Sequence, residues 1–423
     1  MSLYDWDFSA PTPSGMGDHD VPRASDRLAG RRVALLVTGG IAAMKAPEIA
    51  RGLRRHGAQV VAFASPDALL YVARQALEWA TLGPVVTELS WRAEHLSDGA
   101  PFDAYLVAPA THSTIAKMAQ GIGDTVVTSA LISALGRMEQ GRAQVLVAPT
   151  MHGTMHNAQL LDNARRLAGQ GVRLIAPRDA YGKHNLPDTE TLCIAVGRAL
   201  SGSPLRGRSV MVTAGPTPVP VDGVRRIVNR FRGRLGARLA EELTWRGAEA
   251  ELILGDGAWR PSAPIPLSVV RTYDEYRDTV VARARSGLFA GVFSAGVADY
   301  RPRQAVAGKI ASGQASLTLE LEPTEKVIDL ACAADPAMHC VAFKYLEGVS
   351  EDELVRVAAR RLGRAGLVVA TRGEDTRGTE QRALLVTADG VEPVEDKRAI
   401  ARRIANHLEA IAGGADDVTM AAE

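Results

Sequence analysis

Two glycine-bearing turns hold the residue types best suited to chemistry. The first, Thr38-Gly-Gly-Ile-Ala-Ala-Met-Lys45, follows the apolar run Val33–Val37. The second, Thr213-Ala-Gly-Pro-Thr217, ends another apolar run and leads into Val224-Arg-Arg-Ile-Val-Asn-Arg-Phe-Arg-Gly-Arg-Leu-Gly236. A buried strand, a glycine turn and a glycine-opened helix together present free backbone N–H groups to an anion such as phosphate. Other polar residues collect where strands should end: Ser65, Thr111, His112, Ser113 and Thr114. They suit a ligand bound beyond the carboxyl ends of parallel strands, and they equally suit helix caps.

The elements that must position these residues follow from hydrophobic pattern. In the first half, apolar runs predict strands at Val33–Val37, Gln59–Ala64, Ala104–Val107, Gln144–Ala148 and Val172–Ala176, with helices between, the first over Ala46–His56. In the second half strands are expected at Val210–Thr213, Glu251–Leu254, Leu267–Val270, Gly291–Ser294, His339–Ala342, Leu367–Ala370 and Ala383–Val386. Helices fit Leu235–Arg246, Asp274–Arg285, Glu351–Leu362 and Lys397–Ile411. Strand–helix alternation of this kind means an α/β fold with two doubly wound, Rossmann-like domains. Between them, Ser201-Gly-Ser-Pro-Leu-Arg-Gly207 has the composition of a flexible linker.

Composition narrows the class. The chain has 423 residues, 46% hydrophobic and 23% charged, with a net charge of +1, which is a globular balance without the basic surplus of a nucleic-acid binder. Residues 1–30 lack the apolar core of a signal peptide and read as a disordered tail, and 413–423 read as a tail. No apolar run has the length of a membrane span, so no membrane partner is expected. Cys193, Cys332 and Cys340 cannot form a disulfide framework and show no zinc spacing, which fits a reducing cytoplasm. No metal ligands can be named from spacing.

The first-half motifs, in order, are the glycine turn, Glu94-His95, Ala108-Pro-Ala-Thr111 and Ile115-Ala-Lys117. This order resembles the homo-oligomeric flavin-containing cysteine decarboxylases over about Arg32 to Ala199. The resemblance implies a flavodoxin-like domain over 31–200 that binds FMN through Thr38, Gly39, Gly40, Ser65, Thr111 and Thr128. It implies that His95 is catalytic and that sites form across trimers. The family's substrate-binding asparagine is replaced by His152 in Pro149-Thr-Met-His-Gly-Thr-Met155. Its flap cysteine has no counterpart in Ala180-Tyr-Gly-Lys-His184, and Cys193 lies in an apolar helical pattern that reads as packed core.

The second half carries Thr213-Ala-Gly-Pro-Thr217 with Asp222, Arg225 and Asn229, then Ser294-Ala-Gly-Val-Ala-Asp-Tyr-Arg-Pro302, Lys309-Ile310, Pro323-Thr-Glu-Lys-Val-Ile328 and Val341-Ala-Phe-Lys344. These segments resemble the phosphopantothenate–cysteine ligase family over about Gly207 to Ile411. The resemblance implies a dimerising ligase domain over 208–412 that uses CTP and Mg2+ to activate an acid for attack by an amine. Asn229 and Lys309 take the catalytic positions, Arg225 a substrate position, and Gly215, Ala295, Asp299, Lys309, Phe343, Arg360 and Arg364 the nucleotide positions. Phe231 and Arg232 stand where the family has two serines. The whole chain thus resembles the bifunctional decarboxylase–ligases of coenzyme A biosynthesis. Two alternatives stay open: a paralogue with another acid and amine, or a flavin-binding scaffold whose first half lacks decarboxylase activity.

Overall fold

The computed structural model describes residues 6–96, 98–313, 315–377 and 380–420. The chain divides into two compact units, Met1–Val196 and Gly197–Glu423.

The first unit is built on a five-stranded parallel sheet: β1 (Arg32–Val37), β2 (Gln59–Ala64), β3 (Ala104–Ala110), β4 (Gln144–Pro149) and β5 (Arg173–Leu174). Their order is β2-β1-β3-β4-β5. Strand β3 is buried along its whole length and β1 beyond its first residue, as expected where helices cover both faces. The helices are α1 (Ala46–Arg55), α2 (Arg74–Thr81), α3 (His112–Gln120), α4 (Val126–Glu139), α5 (Ala158–Gly169) and α6 (Thr189–Leu200). The order reverses between β1 and β3, so a crevice opens beyond their carboxyl ends.

A small antiparallel sheet joins Met151–His152, Lys183–Asn185 and Arg178–Ala180. Tyr181 and Gly182 make its hairpin turn, both with positive φ, the backbone of a type I′ turn.

The second unit has an eight-stranded sheet: β6 (Ser209–Ala214), β7 (Glu249–Gly255), β8 (Leu267–Val270), β9 (Ala290–Phe293), β10 (His339–Leu346), β11 (Leu367–Arg372), β12 (Ala383–Thr387) and β13 (Gly390–Val394). The order is β8-β7-β6-β9-β10-β11-β12-β13, parallel up to β11 and antiparallel over the last two. Helices α7 (Arg234–Trp245), α8 (Tyr273–Ala284), α9 (Val327–Ala334), α10 (Glu351–Ala359) and α11 (Lys397–Met420) pack around it. The switch point lies between β6 and β9.

Three expectations need correction. The segment 1–30 is not wholly a free tail: Leu28 is fully buried, and the backbone N–H groups of Ala24 and Leu28 donate to Arg55 and His56 carbonyls. The stretch 201–207 is fastened rather than flexible. Leu205 is fully buried and the Ser201 hydroxyl donates to the Arg246 carbonyl at 2.7 Å. Its serines act as local turn caps, which composition alone does not distinguish from a mobile tether. Helix α11 also continues to Met420, into the stretch expected as a C-terminal tail.

Candidate functional site

The crevice of the first unit is a cavity of about 500 Å³. Thr38, Gly39, Gly40, Ser65, Thr111, Thr128 and His152 all line it. Thr38, only 2% exposed, ties the two strand ends together. Its hydroxyl donates to the Pro109 carbonyl at 2.7 Å and accepts the Thr111 N–H at 3.2 Å. A side chain at residue 39 would put its Cβ 2.3 Å from that of Asp67, so glycine is required there.

The hydroxyls here are caps and cavity wall at once. Ser65 accepts from the Ala68 N–H, Thr111 caps α3, and Thr125 and Thr128 form a capping box at the start of α4. The positive ends of α3 and α4 therefore meet a hydroxyl-lined crevice with apolar walls at Ile41, Val127, Met151 and Met155. A phosphate-bearing ligand with a flat apolar ring system fits that donor set and size.

His152 holds its own loop: its Nδ1 accepts from the Thr154 N–H at 3.2 Å. The hairpin sends Lys183, His184 and Asn185 to the cavity, whereas Tyr181 is 96% exposed. Cys193 is buried on α6, close enough to Gly52 that a Cβ there would lie 3.2 Å from its Sγ. Burial pushes its thiol well above the ordinary range, so it is packed core and not a redox thiol.

His95 stands apart from the other expected residues. It is not among the residues lining the cavity of its own chain, and its Nδ1 is buried without a hydrogen-bond partner. Its neighbour Leu96 offers its carbonyl to Arg137, near the end of α4 opposite the crevice.

In the second unit a cleft of about 1070 Å³ opens at the β6/β9 switch point. Asn229, Ala295, Asp299 and Phe343 line it. The Asn229 amide donates to the carbonyls of Gly296 at 3.0 Å and Val297 at 3.1 Å. Gly233 caps α7 with φ of +71°, and a Cβ there would stand 2.5 Å from the Gly215 nitrogen. Gly215, with φ of +81°, thus lies beneath the loop rather than on the cleft wall. Phe231 packs edge-on against Tyr345, their rings 5.0 Å apart, and Arg230 is held by Glu347 at 2.6 Å. Asp299 pairs with Lys326.

Four further expected positions fall elsewhere. Arg360 and Arg364 do not line the cleft, and Arg361 does. Helix α10 stops at Ala359, so helical spacing no longer sets direction beyond it, and Arg364 pairs with Asp329. Lys309 and Arg225 stand outside the cleft in a cluster fixed by buried Asp222. That carboxylate accepts from the N–H groups of Val224 at 2.8 Å, Arg225 at 2.6 Å and Ile310 at 3.0 Å. Burial alone would raise its pKa, but these three donors and the Arg225 guanidinium lower it to about 2.

Sequence reasoning missed Lys344, although it quoted the residue in a motif. The side chain lines the cleft beside Lys326 and Arg361. Among the described residues, no group of three or more His, Cys, Asp or Glu is arranged to hold a metal ion. None of their helices is long and apolar enough to cross a membrane.

Comparison with known proteins matches both units. Residues 22–199 fit the Flavoprotein family model, and residues 205–411 fit the model of the DNA/pantothenate metabolism flavoprotein C-terminal domain. The coenzyme A biosynthesis bifunctional protein CoaBC of Thermococcus kodakarensis is 36% identical over 91% of this chain and 96% of its own length. The CoaBC protein of Mycolicibacterium smegmatis is 30% identical over 90% of this chain and 97% of its own. A cysteine/cysteine sulfinic acid decarboxylase from an unknown prokaryotic organism is 34% identical over 55% of this chain and 66% of its own length. This chain belongs to the CoaBC family of bifunctional coenzyme A biosynthesis proteins.

Proposed function

We propose that the second unit is a CTP-dependent ligase joining a carboxylic acid, 4′-phosphopantothenate or an analogue, to cysteine or another amine. The first unit, in this reading, is an FMN-binding decarboxylase of the resulting cysteine conjugate. The observation that carries the ligase half is the cleft itself. It lies at a switch point, has room for two substrates, and combines Asn229, the Gly233 turn, Asp299 and several cations. The acid attacks the α-phosphorus of the nucleotide, pyrophosphate leaves, and an amine then displaces the nucleoside monophosphate. Magnesium arrives with the triphosphate, as is usual for a cation that binds one or two carboxylates plus substrate phosphates.

In the first unit, Thr38, Gly39, Gly40, Ser65, Thr111 and Thr128 would hold FMN, with the α3 and α4 amino termini toward its phosphate. When bound, the flavin supplies a hydride acceptor for the cysteine side chain. His152 and the hairpin residues Lys183 and His184 close the cavity around the substrate. Because His95 lies away from the cavity of its own chain, we place it in the cavity of a second copy within a homo-oligomer. Purified protein should carry flavin absorbance and, with CTP, acid and cysteine, release CMP and pyrophosphate. Colourless protein that takes up no added FMN would overturn the first half of this reading.

A second reading is favoured by His152 and by the hairpin without cysteine: the first unit binds FMN and does not decarboxylate. CO2 release from an acid–cysteine conjugate, lost in His95→Asn, decides against it.

A further inference from the structure

The cleft of the second unit contains more positive charge than its own residues neutralise. Of the seven Lys and Arg residues that line it, five decide the argument. Arg230 is paired with Glu347 and Lys326 with Asp299. Arg234 lies over the Trp259 ring. Lys344 and Arg361 have no ion-pair or hydrogen-bond partner for their side chains among the described residues, and both line the cleft. Lys344 is partly buried near the end of central strand β10, two strands from β6, and lines the cleft. An unpaired ammonium withdrawn from water is costly unless an anion meets it. Here burial comes first, and Arg361 and Lys326 then push the Lys344 pKa below the ordinary lysine value, while Asp299 only partly opposes them.

We propose that Lys344 is a phosphate-binding residue of the nucleotide site, with Arg361 beside it. Together they supply within one chain the charge that Lys309 and Arg364 do not bring to the cleft. This rests on the reading of the cleft as a ligase site. In acid activation the carboxylate oxygen forms a bond to the α-phosphorus as the bond to pyrophosphate breaks, and the departing oxygen takes the electron pair. Cations fixed beside the phosphates stabilise that departure without having to move. Lysine at this position is a point charge, so arginine can keep the charge while glutamine cannot.

The test uses the full chain with inorganic tripolyphosphate, MgCTP and MgATP as titrants in calorimetry. Lys344→Gln should weaken tripolyphosphate and nucleotide binding roughly 10- to 100-fold, as expected for a lost charged hydrogen bond. Lys344→Arg should restore most of it, and Arg361→Gln should weaken it less. As pH is raised, wild-type affinity should begin to decline before the ordinary lysine pKa is reached, a decline absent in Lys344→Arg. Unchanged tripolyphosphate affinity in Lys344→Gln, or no tripolyphosphate binding by the wild type, overturns the proposal. Lys344-dependent binding without pyrophosphate release for any acid keeps Lys344 as a phosphate ligand and removes the ligase reading instead.

Discussion

At the scale of single residues, burial and hydrogen bonding decide which side chains can be tested cleanly. Asp222 has a folded pKa of about 2 against an ordinary 3.8, so the native state binds fewer protons than the unfolded chain between those values. Its stabilisation is fully present only at pH well above 3.8 and is lost as pH falls toward 2. Asp222→Asn should flatten the acid limb of a denaturation curve measured on the second unit's tryptophans. His152→Asn is the opposite kind of change. Asparagine Oδ1 can accept the Thr154 N–H as His152 Nδ1 does, so the loop should hold. The new amide gives the cavity a neutral donor for a substrate carboxylate, and decarboxylation should rise roughly 10-fold or more, measured as CO2 release. No rise would mean that His152 already serves.

The legibility of these residues varied for physical reasons. Thr38, Ser65 and Thr111 were readable because a polar residue after a buried strand has few other places to be, whereas Thr128, inside the first turn of α4, came from the family resemblance alone. Sequence leaves cap and ligand contact equally open, and the structure shows Ser65, Thr111 and Thr128 as capping groups that also line the cavity. Arg361 was hidden by the end of α10, one residue from the Arg360 position that the family resemblance implied. His95 lies outside the cavity of its own chain, and its motif says nothing of where the loop that carries it packs.

At the scale of elements, the two switch points organise everything else. The central parallel strands were legible from unbroken apolar runs, whereas β13 was not, because Gly390-Val-Glu-Pro-Val394 is short and largely exposed. The loop before α7 shows why glycine is needed there. Any side chain at residue 233 meets the Gly215 backbone and takes on positive φ, a cost of about 1–2 kcal/mol before the clash. Gly233→Ala should therefore lower nucleotide affinity together with thermal stability, while flavin content stays unchanged. A variant with normal nucleotide affinity would show that the loop's close packing on β6 is irrelevant to the cleft.

At the scale of the whole molecule, two units with separate cores and separate cavities predict separable losses. Thr38→Ala should release the β1–β3 tie and lower FMN content without changing pyrophosphate release. If a second copy supplies His95, then mixing subunits of His95→Asn with subunits of Thr38→Ala should recover part of the decarboxylase activity that each lacks alone. The disordered N-terminal tail and flexible linker expected from composition misled here, because small polar residues cap packed turns as readily as they fill mobile ones. The most direct test of the ligase reading is acid-dependent pyrophosphate release by the full-length protein given CTP, magnesium, cysteine and 4′-phosphopantothenate or a panel of related acids. Release that requires the acid, with CMP formed in equal amount once cysteine is present, is the expected result. Absence of nucleotide turnover with every acid would contradict it.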